Sequence, residues 1–196
     1  ILEVPAFENL IRNARFDQVF HQHLQYFSLK SLLSLIKDLG FYYFKHTYNF
    51  NYWGGTLILA FSKKDAKAKI RCIPFCPSQS IISRQLKVFR RVIESTKSAI
   101  KSFSDHAVLG YGAAQMLPIL AYHLNTDMSF LKFIIDDDPG KDGMRYPGLK
   151  VSIKSSSSVN LTDAIILITA IDNIRPILRK ILKINSRNII VPAQLL

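Results

Sequence analysis

The chain has 196 residues, of which 48% are hydrophobic, 11% aromatic and 20% charged, with a formal net charge of +12. That apolar content excludes intrinsic disorder and is enough for one large core or two small ones. Two cysteines, Cys72 and Cys76, exclude a disulfide scaffold, and no run approaches the roughly 18 apolar residues of a membrane span.

The first residues include Glu3 and Glu8 and show no secretory cleavage pattern, so a cytoplasmic protein is expected. An opening Ile1 rather than Met suggests a piece of a longer chain. Residues 1–5, Ile-Leu-Glu-Val-Pro, read as a strand stopped by Pro5, which cannot donate to a ladder. Leu29, Leu32, Leu33 and Ile36 form a helical stripe, with Ser28 as N-cap and Gly40 as stop. Residues 41–45 and 56–61 then predict two strands that pair as a hairpin across Gly54-Gly55.

Ahead of that helix stands His21-Gln22-His23, followed by Tyr26 and Phe27. On extended chain alternate side chains point the same way, so both imidazoles would reach one pocket. Three roles stay open from the residues alone: structural packing, a general base, and half of a metal site. No third ligand is nearby in sequence.

Positive charge is concentrated in residues 62–101, which hold eleven basic residues against Asp65 and Glu94. Residues 63–80, with Pro74 and Pro77, read as a linker. Residues 79–104 follow as a long amphipathic helix with Ile82, Leu86, Phe89, Ile93, Ile100 and Phe103 on one stripe. Arg84, Lys87, Arg90, Arg91, Lys97 and Lys101 fall largely off it. A solvated basic face is the expected outcome, and nucleic acid is not the expected partner.

Beyond that helix the rhythm becomes strand–helix–strand. Residues 107–109 run into Gly110-Tyr111-Gly112-Ala113, then a helical pattern reaches residue 124. Strands are predicted at 130–135, 164–169 and 188–191, and a helix at 175–184. Apolar strands alternating with helices give an α/β class with a covered parallel sheet. The Gly-x-Gly turn is either an anion cradle at a helix start or a tight turn without ligand; Gln115 stands where a third fingerprint glycine would be. Asp136-Asp137-Asp138 closes a strand where an acid would meet a ribose hydroxyl, or forms a solvated turn.

In this order the pieces resemble the sugar C-methyltransferases that act on keto-deoxysugar nucleotides. Residues 16–23, Phe-Asp-Gln-Val-Phe-His-Gln-His, with Tyr26-Phe27-Ser28-Leu29, are similar to that family's "FDxxYxEHxxYFSL". Gly54-Gly55-Thr56-Leu57 matches "HGGSLR", and residues 110–113 match "GYGA". Asp136, Pro139, Lys141, Gly143 and Pro147-Gly148 match "DxxPxKxGxxxPG", while Asp172-Asn173 falls near a Trp-Asn pair.

The resemblance implies residues 1–64 as the tail of a class I S-adenosylmethionine domain. It further implies 65–104 as a basic linker and helix, and 105–196 as a Rossmann-like parallel-sheet domain. It also implies a base that removes the proton beside a sugar ketone, so that the enolate takes the sulfonium methyl. His23 carries over as that base with Gln22 beside it. His21, Tyr26, Gly110, Tyr111, Gly112, Ala113, Asp136, Lys141 and Asn173 carry over toward a nucleotide-linked sugar. S-adenosylmethionine is the implied cofactor, with its own site expected outside this chain, and no metal is implied. Gln22 replaces an acid, Phe20 a Tyr, Trp53 a His, Ile58 an Arg and Met116 a Lys. Those departures leave a non-catalytic nucleotide-sugar module as the alternative.

Overall fold

The computed structural model describes residues 1–50, 55–65, 67–70, 75–184 and 188–193, so Trp53, Gly54, Cys72 and Pro74 lie outside the described residues. The chain forms two compact units that divide between Phe89 and Arg90, each with its own sheet. Among the described residues no helix is long and apolar enough to cross a membrane.

In the first unit β1 (Leu2–Pro5) leads through Ala6 into the short helix α1 (Phe7–Arg12). Helix α2 (Leu29–Asp38) precedes the hairpin of β2 (Tyr42–Asn49) and β3 (Thr56–Ser62). The strands order as β1-β3-β2, and β3 is antiparallel to both neighbours. The hairpin is the predicted one, but β2 runs four residues past Lys45. Its alternation continues through Tyr48 after a bulge between Tyr43 and Lys45. Pro5 lies on the edge strand, where a missing donor costs least.

Leu57 and Leu59 on the central strand are fully buried under Leu29, Leu32 and Ile36 of α2. The helix starts as its sequence dictates. Ser28 Oγ accepts from the Ser31 amide at 3.0 Å, and Ser31 Oγ accepts from the Ser28 amide at 2.9 Å. It stops at Gly40, whose φ of +76° permits bonds from Gly40 to Lys37 and from Phe41 to Ile36. Glu8 adds a tie absent from any local pattern: its buried carboxylate accepts the Leu29 amide at the α2 N-terminus.

Helix α3 (Gln79–Ser102) buries Phe89, Ile93 and Thr96, and the Phe16 and Phe89 ring centroids lie 6.0 Å apart. Arg84, Lys87, Arg90, Arg91 and Lys101 are exposed, as a solvated basic face requires.

The second unit holds β4 (Val108–Tyr111), α4 (Leu117–Leu124), β5 (Leu131–Asp136), β6 (Ile153–Ser155), β7 (Ile165–Ile168), α5 (Ile174–Lys183) and β8 (Asn188–Ile190). All pairings are parallel, in the order β6-β5-β4-β7-β8. Ile134, Ile135, Ile166, Leu167 and Ile168 are wholly buried, which is why these strands read as largely apolar. The chain direction across the sheet reverses between β4 and β7. Right-handed crossovers therefore assign α4 and α5 to opposite faces.

Three expectations need correction. Strand β6 lies in a stretch with no predicted strand, because only Ile153 of its three residues is buried. Gly110 and Tyr111 belong to β4 rather than to a turn, since both pair with β5 and β7. Helix α4 begins at Leu117, so the residues directly after Ala113 are not helical.

Gly110 in β4 and Gly112 just after it both serve close packing. A Cβ on Gly112, where φ is +99°, would stand 2.3 Å from Ala170 Cβ, and one on Gly110 2.8 Å from Ile134 Cγ1. Gly112→Ala combines overpacking with backbone strain and is expected to cost about 2–5 kcal/mol. Gly40→Ala meets open space and is expected to cost about 1 kcal/mol. Urea unfolding midpoints compare them, and equal losses would contradict this account of Gly112.

Candidate functional site

Of the sequence candidates, Gly110, Tyr111, Gly112, Ala113, Asp136 and Lys141 meet at the carboxyl ends of β4 and β5. A doubly wound sheet opens its crevice beside the point where strand order reverses, and β4 borders that point here. Thr169, at the end of β7, closes the turn by donating its hydroxyl to the Gly112 carbonyl at 2.8 Å. This fixes the next peptide. The Ala113 amide donates to Asp136 Oδ2 at 2.7 Å, and its carbonyl accepts from Lys141 Nζ at 3.0 Å and the Tyr146 hydroxyl at 3.1 Å.

Asp136 is 8% exposed and heavily engaged. Its Oδ1 accepts the Asp138 amide at 3.0 Å and faces Lys141 Nζ at 3.1 Å. The segment after β5 is thereby latched to Ala113, just past β4, by two bonds to a single carbonyl, and to the end of β5 by one ion pair. Asp138 caps the 3-10 turn Pro139–Lys141 by accepting the Gly140 amide. The three acids thus have separate jobs, which their adjacency in sequence conceals.

Asp137 is exposed, its side chain 53% accessible. It accepts from the Tyr111 hydroxyl at 2.8 Å and pairs with Lys180 of α5. Burial alone would raise its pKa, but hydrogen bonds from Lys180, Ser156 and Tyr111 outweigh that and hold it below the usual carboxylate range. Lys180 is held above its ordinary value by the same carboxylate. Tyr111 is raised chiefly by desolvation, as is Tyr146. Neither Lys180 nor Tyr146 was a sequence candidate, since partners 43 and 33 residues apart leave no periodic trace. Asn173 is exposed at the start of α5, beyond β7.

The histidines form a separate cluster in the first unit. They do not sit on extended chain: residues 21 and 22 form a turn, and the His23 amide donates to the Phe20 carbonyl at 3.2 Å. The alternation argument for a shared pocket fails there. His21 and Gln22 are exposed, while His23 is half-buried with its ring centroid 5.7 Å from Phe20 and 5.9 Å from Tyr26. Tyr26 fastens the loop. Its hydroxyl donates to the Gln18 carbonyl at 2.9 Å and accepts the Phe20 amide at 3.1 Å. Upstream, Arg15 grips the buried Asp17 with Nε–Oδ1 at 2.8 Å and Nη2–Oδ2 at 2.7 Å. A half-open imidazole between two aromatic edges, on a loop pinned from both sides, can exchange a proton with a bound molecule.

The Lys180 bond is the dominant hydrogen bond holding Asp137 ionised, so Lys180→Gln is expected to raise the Asp137 titration midpoint. A depressed carboxylate pKa favours the folded state above the unfolded pKa, and that contribution fades as pH falls through the folded value. Carboxyl carbon NMR across the acid range measures it; an unmoved midpoint would contradict the assignment.

Residues 82–191, more than half of the chain, match the family described as C-methyltransferase C-terminal domain. C-methyltransferase NovU of Streptomyces niveus is 26% identical over 167 residues, covering 79% of this chain. The chain spans 39% of that relative's length.

Proposed function

Because the chain belongs to the C-methyltransferase C-terminal domain family, we propose that it forms part of an enzyme that methylates a carbon of a nucleotide-linked keto sugar. Residues 1–64 are taken as the end of an S-adenosylmethionine domain, 65–104 as linker and helix, and 105–196 as a Rossmann-like domain that holds the nucleotide. The observation that carries this reading is the half-open His23 ring on its fastened loop.

His23 takes the proton from the carbon beside the sugar ketone. Gln22, exposed beside it, offers an amide where a carboxylate would stabilise the imidazolium. His21 and Tyr26 frame the same loop. In the second unit, the Gly110–Ala113 strand end, Asp136, Lys141 and the exposed Asn173 shape the crevice for the nucleotide. Asp136 and Lys141 act there by holding the Ala113 peptide in place.

S-adenosylmethionine supplies the methyl group in this reading, and the described residues do not fit it. The first strand passes through Pro5 and Ala6 directly into α1 without a glycine turn. Gly110 and Gly112 face Ile134 and Ala170 rather than open space. The donor site is therefore assigned to residues outside those described.

In a protein that joins a donor domain to this chain, His23→Ala is expected to lower kcat on the order of 10²–10⁴-fold. Donor affinity by calorimetry should stay unchanged. Undiminished turnover would remove His23 from the base role. Gln22 in place of an acid favours a second reading, a nucleotide-sugar binding module without turnover. That reading is supported if the joined protein binds the sugar nucleotide and the donor but forms no methylated product.

A further inference from the structure

At the opposite end of the second sheet lies a hollow of about 470 Å³ that the crevice reading does not use. It borders a crossover that carries no α-helix. The β4-to-β5 and β7-to-β8 connections carry α4 and α5, whereas β6 reaches β7 through residues 156–164 with only the 3-10 turn Ser156–Ser158. Parallel sheets need both faces covered. On the face that carries Leu109, Tyr111, Phe133 and Lys154, α5 reaches Tyr111 through Lys180, and the crossover loop lines the space beside Leu109 and Phe133.

The floor of the hollow is therefore apolar, with Leu109 and Phe133, and its rim is cationic and polar. Lys154 Nζ lies 4.8 Å from the Phe133 ring centroid, and Lys132 lines the same wall. Among the described residues neither lysine pairs with a carboxylate. Asn160 and Thr162 add hydrogen-bonding groups, the Asn160 side chain already turning the loop by accepting the Thr162 amide. Asp163 also lines the space, so its lining holds two lysines and one aspartate. The volume lies in the range of small-molecule sites.

We propose that this hollow binds a phosphomonoester, with its dianionic phosphate between Lys132 and Lys154 and its organic part on Leu109 and Phe133. Two lysines lining one space favour a dianion over a monoanion. The apolar floor gives the ester an advantage over free phosphate. The site is separate from the nucleotide crevice, at the amino rather than the carboxyl ends of the strands.

The test is a titration of the isotope-labelled full chain, followed by backbone amide NMR, with uridine 5′-monophosphate, inorganic phosphate and uridine as probes. Saturable shifts at Phe133, Lys154 and Asn160 are expected with the monophosphate, with a midpoint independent of any shifts at Ala113 or Asp137, which would report the nucleotide crevice. Inorganic phosphate should bind the same amides at least about 5-fold more weakly, and uridine should not saturate. Equal affinity for phosphate would remove the ester part of the proposal. The exposed pair Lys132→Gln/Lys154→Gln should weaken monophosphate binding by at least about 10-fold. Shifts confined to the carboxyl edge, unchanged affinity in the double variant, or no saturation would overturn it.

Discussion

The carboxyl edge of the second unit depends on how closely β4 and β7 approach. Gly112 leaves no side chain where Ala170 lies, and Thr169 closes the gap by bonding to the Gly112 carbonyl. That fixes the orientation of Ala113, whose amide and carbonyl then gather Asp136, Lys141 and Tyr146. The long segment after β5 is held by these bonds rather than by a helix. A bulkier residue at position 112 would disturb the crevice before touching any polar group in it. The usual explanation for such glycines, close approach to a phosphate, is unnecessary to account for them here.

The first unit solves a similar problem with different chemistry. Its candidate histidine sits on an irregular loop that no sheet or helix ladder supports. Side chains take over that work, with Arg15 on Asp17 before the loop and the Tyr26 hydroxyl across it. The imidazole is left half-open while its surroundings are fixed. Proton transfer requires that combination, since a base must be both reachable and oriented.

Strands β4, β5 and β7 were legible because strands buried on both faces are largely apolar, β7 as an unbroken Ile-Ile-Leu-Ile run. The α2 boundaries were legible because Ser28 and Gly40 act locally. Strand β6 was hidden by Lys154 and the serines that follow, residues ordinarily found in loops. The histidine turn was misread because Phe-His-Gln-His-Leu carries no period, and its shape comes from Tyr26. The triple acid run gave its place but not its division of labour, which is set by the nearby Lys141 and by Tyr111 and Lys180 from distant segments. Family membership covers the second unit and much of α3, so the first unit rests on the motif resemblance and on its own geometry.

The central claim is that this chain supplies the group that removes a proton beside a ketone. Solvent-deuterium exchange at that carbon of a nucleotide-linked keto sugar measures the step without methyl transfer. With the donor-domain-containing protein in heavy water, and a non-transferring donor analogue present, the account predicts deuterium at that single carbon faster than in buffer. Exchange no faster than in buffer, with the sugar nucleotide shown to be bound, would contradict it.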